Sequence, residues 1–494
     1  INASPDGTEV AFSVGAPGPL RVASLLGGPV RTIADSSIGG GVWSADGDFL
    51  YYVDGNRGIS RVPAGGGDRT VVVAGRPDST WATLAMVPGR SMLLAGHRAA
   101  GRPESLGEIE GVDLKTGETR PIIEGNGPAW VAGGHIVFGT PDGKLLAAPL
   151  DLDAMRVTGD ATVVLEGIET NILADLEATV SADGTLLYLP SSDKLVTPAW
   201  VDRRGGASVI AADWRFRGDS IFGSLALSPN GKRVAVSLDE DGWDIWIRDL
   251  DGGPLTRFTF GDGIHMRPSW SADGQALFFL SNRNGNFDLW TRPADGSGNP
   301  VPVLDRAQPL IEAFEAPDGA VVFRTGSPVL GSEDADIFTM KPGRDTTVTT
   351  LVDSDFLDWE PALSPDGRWL AYASNESGRF QVYVRPFPAP RSPRVQVSID
   401  GGTEPVWSRD GAELFFRGSR DYVAAAVTTR PTFSVVGRTP LFPADRFLSG
   451  YGHPMYDVSP DGKRFFMLLV SGVKPSPLIL VKNWMSEVEG RFGK

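Results

Sequence analysis

The sequence predicts an all-β fold of two consecutive β-propellers, each built from four-stranded antiparallel blades. Three observations predict this fold: a turn motif that recurs along the whole chain, a four-strand pattern between its copies, and an abundance of turn-forming residues. The chain has 494 residues, of which 61 are glycine and 38 are proline. Such a composition suits many short strands joined by tight turns.

The turn motif is Ser-Pro-Asp-Gly or a close variant, followed each time by an apolar run, and we call each copy a mark. Successive marks lie 40 to 51 residues apart, a period typical of solenoids, propellers and arrays. The marks centre on Asp6, Asp46, Asp183, Asn230, Asp273, Asp318, Asp366, Asp410 and Asp461, with weaker copies at Gly89 and Gly133.

The clearest repeat runs from Pro268 to Leu304. Residues 268–270 lead into the mark at Asp273, and three further strands are predicted at 276–280, 287–290 and 301–304. Gly, Asn and Asp occupy the turns between them, as in an antiparallel meander. A meander this small cannot bury both of its faces, so we expect neighbouring meanders to stack radially as propeller blades.

Counting the marks predicts where one propeller ends and the next begins. Five marks precede Trp214 and six follow it, so we expect an N-terminal propeller of five or six blades over residues 1–215. A six-bladed propeller is expected over residues 216–494. Its last repeat shows strands at 465–469 and 478–481 but no fourth strand. We expect a strand from elsewhere in the chain to close it, because closure removes exposed edges.

Charge and composition narrow the classes of partner. The net charge of −15 argues against nucleic acid, whose phosphates attract basic proteins. No apolar run is long enough to span a bilayer. The absence of cysteine excludes a disulfide framework and is neutral between cytoplasm and periplasm. The chain starts at Ile1 directly on a repeat, so we expect it to be a piece of a longer protein.

The segments Asp358–Gly378 and Gly401–Gly411, each carrying a complete mark, resemble TolB-type propeller repeats, a WD-like family. The resemblance covers nearly the whole chain. The same segments resemble the extracytoplasmic half of bacterial membrane-anchored Ser/Thr kinases, although no kinase motif is present. The resemblance implies a bacterial protein in the periplasm or outside the cell. It also implies a protein, peptide or small-molecule ligand.

The repeats allow equivalent positions to be compared from blade to blade. The residues six and eight before the central residue of each mark begin the innermost strand, which lines the central channel. Because positions two apart on a strand point the same way, we expect the two sets to converge at one channel mouth. The chemistry-bearing members are Glu177, Arg267, Glu312, Glu360 and Glu404 at the sixth position and Asp175, His265, Asp358 and His453 at the eighth.

Two interpretations of these residues stay open. In the first, His265, Asp358, Glu360, Glu404 and His453 hold calcium or zinc, which prefer oxygen and mixed nitrogen–oxygen ligands. The catalytic residues would then be His265, Arg267 and His453, with Arg267 stabilising a developing oxyanion. Asp175, Glu177 and Glu312 would bind ligand. In the second, the same acids satisfy backbone amides or pair with Arg267 as a structural ring.

The sequence therefore supports two functions and leaves open whether the chain is an enzyme. The first is a ligand- or protein-binding module, of the kind found in sensor ectodomains, that binds at the mouth of a central channel. The alternative is a metal-dependent hydrolase of ester, lactone or phosphotriester type at the mouth of the second propeller. Gly-x-Ser-x-Gly, His-Glu-x-x-His and phosphate-loop motifs are all absent.

Overall fold

The fold is known from a computed structural model. It describes residues 2–13, 18–54, 57–76, 79–99, 107–170, 175–181, 184–191, 195–217, 223–239, 242–325, 336–354, 356–389, 392–450, 452–471 and 477–492. Antiparallel strands dominate these residues, and Trp484–Arg491 forms an α-helix. The predicted all-β class is confirmed.

The chain divides into two compact units. Unit 1 contains Ile1–Ser192 and Lys474–Lys494, and unit 2 contains Asp193–Gly326 and Glu333–Val473. The predicted boundary between residues 215 and 216 lies inside unit 2. The chain thus leaves unit 1, builds unit 2 and returns to unit 1.

The described residues of unit 2 form six antiparallel sheets, which we number 1 to 6 in the order of their marks. In sheets 1 to 5 the strands pair in chain order. Sheet 1 is Ser224–Leu227, Arg233–Asp239, Trp243–Asp249 and Thr256–Arg257; sheet 2 is His265–Trp270, Ala276–Ser281, Asp288–Pro293 and Val301–Leu304; sheet 3 is Leu310–Glu315, Val321–Thr325, Ile337–Met340 and Thr349–Val352; sheet 4 is Asp358–Leu363, Trp369–Ser374, Gln381–Pro386 and Val395–Gln396; sheet 5 is Thr403–Trp407, Glu413–Arg417, Asp421–Thr428 and Ser434–Pro443.

Sheet 6 joins strands from the two ends of unit 2. Its order is Tyr456–Val458, Arg464–Ser471, Leu195–Asp202 and Ala207–Val209, and Phe216–Arg217 also pairs with Leu195–Asp202. A strand from elsewhere does close this sheet, as expected. The expected membership of 478–481 is wrong, because Ile479–Val481 pairs with Leu186–Tyr188 in unit 1.

Unit 1 is built in the same way. A continuous path joins Asn2–Ala3, Glu9–Ser13, Gly18–Ser24, Arg31–Trp43, Phe49–Val53, Gly58–Pro63 and Thr70–Ala74. Further sheets contain Ser79–Met86, Met92–Ala99, Glu108–Asp113 and Thr119–Glu124, then Asn126–Ala132, His135–Gly139, Leu145–Asp151, Arg156–Val157 and Thr162–Leu165. The last contains Ala178–Val180, Leu186–Tyr188 and Ile479–Val481.

A complete mark is a tight turn whose side chains close it. In the fourth sheet of unit 2 the Ser364 hydroxyl donates to Asp366 (2.7 Å) and accepts from the amide of Trp369 (3.0 Å). Gly367 has φ 66°, a left-handed conformation that glycine adopts without a Cβ penalty. The motif recurs because this geometry requires a hydroxyl, a carboxylate and a glycine at these positions.

A tryptophan three residues before the mark locks one sheet to the preceding one. The indole nitrogens of Trp43, Trp270 and Trp407 donate to the carbonyls of Asn2 (3.1 Å), Ala226 (3.0 Å) and Ala362 (3.2 Å) respectively. Each acceptor lies four residues before the mark of the preceding sheet. This bond therefore joins neighbouring sheets at two places in unit 2, and in unit 1 the equivalent bond of Trp43 lies within the continuous strand path.

The six sheets among the described residues of unit 2 contact one another in a closed ring. Sheet 1 contacts sheets 2 and 6 through its first strand, and the remaining neighbours contact each other in numerical order. This radial arrangement of four-stranded meanders is a β-propeller. No helix among the described residues is long and apolar enough to cross a membrane.

Candidate binding channel of unit 2

The first strands carry a left-handed residue where the sequence places its candidate acids. Arg267, Glu360 and Glu404 all have φ 56°, which costs a non-glycine residue about 1–3 kcal/mol. The strand register shifts at each of these positions, between Met266 and Ser269 in sheet 2 and equivalently in sheets 4 and 5. Each is thus a β-bulge, in which extra residues interrupt the pleat.

Hydrogen bonds from the neighbouring sheet support these strained positions. Ser224 Oγ accepts from the Arg267 amide (2.9 Å), and Glu360 Oε2 accepts from the Glu404 amide (2.5 Å). Glu404 Oε2 in turn accepts from the Met455 amide (3.1 Å). The sixth-position side chains thus connect successive sheets through backbone amides, as the second interpretation expects of a structural ring.

The bulge separates the sixth-position residues from the eighth-position residues, which were expected to converge. The reason is that the alternation of side chains along the strand breaks where the register shifts. His265 is fully buried in the seam between sheets 1 and 2, with Nδ1 2.9 Å from Ser281 Oγ and Nε2 3.8 Å from Asp244 Oδ1. Burial, reinforced by the Arg283 charge, lowers the pKa of His265 to about 4. Although Ser, His and Asp meet here, a fully buried serine and histidine cannot reach a substrate.

Asp358 also lies away from the channel residues. It is 1% exposed, and its carboxylate accepts a hydrogen bond from Ser354 (2.6 Å). Burial raises its pKa, while bonds from Ser354 and Ser374 oppose the rise. The structure therefore does not bring Asp358 and His265 together with Glu360, Glu404 and His453.

Unit 2 contains a cavity of about 470 Å³ along the axis of its ring of first strands. Residues from all six sheets line it, from the exposed mark turns at one end to Arg267, Glu312 and His453 at the other. Glu360 and Glu404 are not among the lining residues and lie buried at 2% and 1% exposure. Two of the predicted metal ligands are thus outside the cavity.

The side chains of the cavity wall come from the position four residues before each mark, which the sequence analysis did not select. All six are half-buried cavity-lining residues. We call this set the channel ring: Ala226, Ser269, Phe314, Ala362, Val406 and Asp457. The sequence carried a signal for this offset, since proline follows the sixth-position residue as Pro268, Pro361 and Pro405 and marks the interruption of the strand.

A contact across the ring lies at the end of the cavity away from the mark turns. Glu312 belongs to sheet 3, and His453 precedes the first strand of sheet 6, on the opposite side. His453 Nδ1 lies 2.6 Å from Glu312 Oε1, and Arg267 Nε lies 3.7 Å from Glu312 Oε2. Burial alone would raise the pKa of Glu312, but His453, Arg267 and Arg324 outweigh it and lower that pKa. Glu312 is therefore ionised at neutral pH.

The pKa values of Glu360 and Glu404 are raised, whereas that of Glu312 is lowered. Burial raises the pKa of Glu360 to about 7, and the charge of Glu312 adds to the rise. Burial raises the pKa of Glu404 to about 8, and the charge of Glu360 adds to that rise. Both carboxylates already accept hydrogen bonds from backbone amides of the next sheet along the ring.

The remaining predicted residues belong to unit 1. Asp175 is buried at 7% exposure, whereas Glu177 is exposed. In this unit, His97, Glu108 and Glu110 form a cluster with metal-ligand spacing. The guanidinium of Arg76 bonds both carboxylate oxygens of Glu110 (2.7 and 2.8 Å) and lies 3.2 Å from His97 Nε2. A cation already occupies the place that a metal ion would take.

Comparison with known proteins gives partial matches. No family model matches the chain. The uncharacterized protein Atu1656 of Agrobacterium fabrum is 31% identical over 160 residues, which are 29% of this chain and 52% of that protein. The uncharacterized peptidase YuxL of Bacillus subtilis is 25% identical over 188 residues, 30% of this chain and 28% of that protein. The matches thus span about half of the first relative and about a quarter of the second.

Solved structures similar to the chain include two TolB proteins. The TolB from Agrobacterium tumefaciens has a TM-score of 0.42 at 17% identity, covering 57% of this chain and 99% of that one. The TolB from Acinetobacter baumannii has a TM-score of 0.35 at 14% identity, covering 70% and 79%. The marks, the four-stranded meanders and the closed ring of sheets in unit 2 carry the fold assignment by themselves: this chain is a β-propeller protein.

Proposed function

We propose that the chain is a ligand- or protein-binding propeller module that binds at the channel mouth of unit 2. The observation that carries the proposal is the axial cavity of about 470 Å³, which is within the usual size of ligand sites. Its wall combines small and apolar side chains with a few polar groups. The cavity opens at the mark turns and ends at Arg267, Glu312 and His453.

The shape of the cavity favours a narrow ligand, such as an extended peptide segment or a small molecule. In the channel ring, Ala362 leaves room between the larger Phe314 and Val406, and Ala226 leaves room on the opposite side. The indoles of Trp270 and Trp407 stand beside the ring and also line the cavity. Apolar walls with convergent polar groups at one end bind ligands by burial and orient them by hydrogen bonds.

The metal-dependent hydrolase is the alternative proposal. It would need carboxylates and histidines around one cation. His265, however, is buried between sheets 1 and 2, Asp358 is buried away from the cavity, and Glu360 and Glu404 bind amides. The peptidase name of YuxL gives this alternative little support, because the match spans 28% of that protein and this chain has no Gly-x-Ser-x-Gly motif. A periplasmic or extracellular location and a kinase in the parent protein are likewise proposals from the resemblance.

A plugged channel tests the binding proposal. Ala226→Trp places an indole in the cavity, and Val436→Trp places one on the surface, where Val436 is 68% exposed. A displayed peptide library and a fragment library are selected against the full wild-type chain. Binders that bind wild type and Val436→Trp equally, but bind Ala226→Trp at least tenfold more weakly, support the proposal. Binders with the same affinity for wild type, Val436→Trp and Ala226→Trp overturn the proposal.

A further inference from the structure

Three side chains that line the cavity of unit 2 carry a buried polar atom with no hydrogen-bond partner among the described residues. The atoms are Ser269 Oγ, Glu312 Oε2 and His453 Nε2. The side chains of Glu312 and His453 are only 8% and 12% exposed. A buried polar atom without a partner is unfavourable, and such atoms are uncommon in folded proteins. Three of them in the lining of one cavity therefore indicate a polar subsite.

The three side chains lie toward the end of the cavity away from the mark turns. Glu312 and His453 meet there through Glu312 Oε1 and His453 Nδ1 (2.6 Å), so the unpartnered atoms are the second polar atoms of the same two groups. Ser269 belongs to the channel ring, on the first strand of sheet 2. That strand contacts the first strand of sheet 3, which carries Glu312. The subsite is thus built from sheets 2 and 3 and from the segment that precedes sheet 6.

The contact between Glu312 and His453 determines what each unpartnered atom can do in a hydrogen bond. A carboxylate oxygen only accepts, so His453 Nδ1 donates to Glu312 Oε1, and in the neutral ring the lone pair then lies on Nε2. Glu312 Oε2 is likewise an acceptor, whereas the Ser269 hydroxyl can donate. The subsite therefore offers a ligand two acceptors and one donor.

The charges beside the subsite disfavour a ligand group that is itself an ion. An anionic group would face Glu312 Oε2, and a cationic group would face the guanidinium of Arg267, whose Nε lies 3.7 Å from that oxygen. Both side chains are buried, so little water is present to screen either repulsion. Like charges brought together in such a site oppose binding. A neutral group that both donates and accepts avoids both repulsions.

We propose that this end of the cavity binds the primary carboxamide group of a small molecule. The two amide hydrogens bond to Glu312 Oε2 and His453 Nε2, and the carbonyl oxygen accepts from Ser269 Oγ. The apolar remainder of the molecule lies against channel-ring residues such as Phe314 and Ala362, which also line the cavity. The inference rests on the proposed function, because it names the chemical class of ligand for the same channel.

Ligand-detected NMR titrations of the full chain test the carboxamide subsite with four probes that share a phenyl ring: benzamide, benzoate, benzylammonium and acetophenone. We expect benzamide to bind wild type about tenfold more tightly than each of the others. Ser269→Ala should weaken benzamide binding about threefold to tenfold, whereas Ser208→Ala, in the exposed outer strand of sheet 6, should bind it as wild type does. Glu312→Gln removes the negative charge beside Arg267, so benzoate should gain affinity relative to benzamide.

The results that overturn this inference differ from those that overturn the proposed function. Equal or undetectable binding of the four probes to wild type overturns the carboxamide subsite, and so does benzamide binding that Ser269→Ala and Glu312→Gln both leave unchanged. The proposed function still stands in these cases if binders selected from the libraries lose affinity for Ala226→Trp. It fails only when those binders have the same affinity for Ala226→Trp as for wild type.

Discussion

The C-terminal residues stabilise unit 1, and Trp484→Ala measures by how much. Trp484 is 3% exposed and packs with Val180 and Leu186 of the last sheet and with Val137 of the preceding one. Removing a buried tryptophan side chain costs about 3–5 kcal/mol. A propeller of this size loses about 2–4 °C in melting temperature per kcal/mol. We therefore expect the unit 1 transition to fall by about 10 °C.

Calorimetry of the full chain checks this prediction, because it resolves the two units if they melt separately. Leu480→Ala is the matched control, since Leu480 lies in the same C-terminal segment but is 55% exposed. Its effect should stay within about 0.5 kcal/mol. A loss in Trp484→Ala below about 1 kcal/mol, or a shift confined to the unit 2 transition, would refute the assignment of residues 474–494 to the core of unit 1.

Three further predictions concern unit 2. Trp407→Phe removes the indole bond to the Ala362 carbonyl, so the free energy of unfolding should fall by about 1–2 kcal/mol in denaturant titrations; no loss would contradict the sheet-locking role. Because the pKa of His265 is about 4 in the fold and 6.5 when unfolded, the unfolded state binds the proton first, and stability should fall as pH drops from 6.5 to 4. His265→Asn should remove this part of the dependence of unfolding free energy on pH. An unchanged dependence between pH 6.5 and pH 4 would refute the assignment to His265. Calcium, zinc and chelators should leave the melting temperature unchanged, whereas a rise that grows with metal concentration would favour the hydrolase alternative.

The fold could be predicted because the turn at each complete mark is held by contacts within a few residues. The hydroxyl, carboxylate and glycine of each turn are fixed by contacts within a few residues, as at Ser364, Asp366 and Gly367. Strand closure was only partly predictable. The pairing of Leu195–Asp202 with Arg464–Ser471 joins segments far apart in sequence, and apolar strands of this kind do not specify their partner.

Three of the residues selected from the sequence, Arg267, Glu312 and His453, line the end of the cavity, whereas its wall comes from positions two residues nearer the mark. Strand alternation places the sixth and eighth positions on one face, which holds only for a continuous pleat. The bulges at Arg267, Glu360 and Glu404 turn the eighth position toward the seams and bring the fourth position into the channel. A charged residue in a left-handed conformation is uncommon, so residue type alone did not indicate the bulge, although the following proline did.

A crystal structure of the full chain with a selected peptide or fragment tests the central claim most directly. We predict that the ligand enters from the mark turns of unit 2, lies against the channel ring at Ala226, Ser269 and Phe314, and ends near His453. A ligand bound elsewhere, with the cavity unchanged, would contradict the assignment of this channel as the binding site.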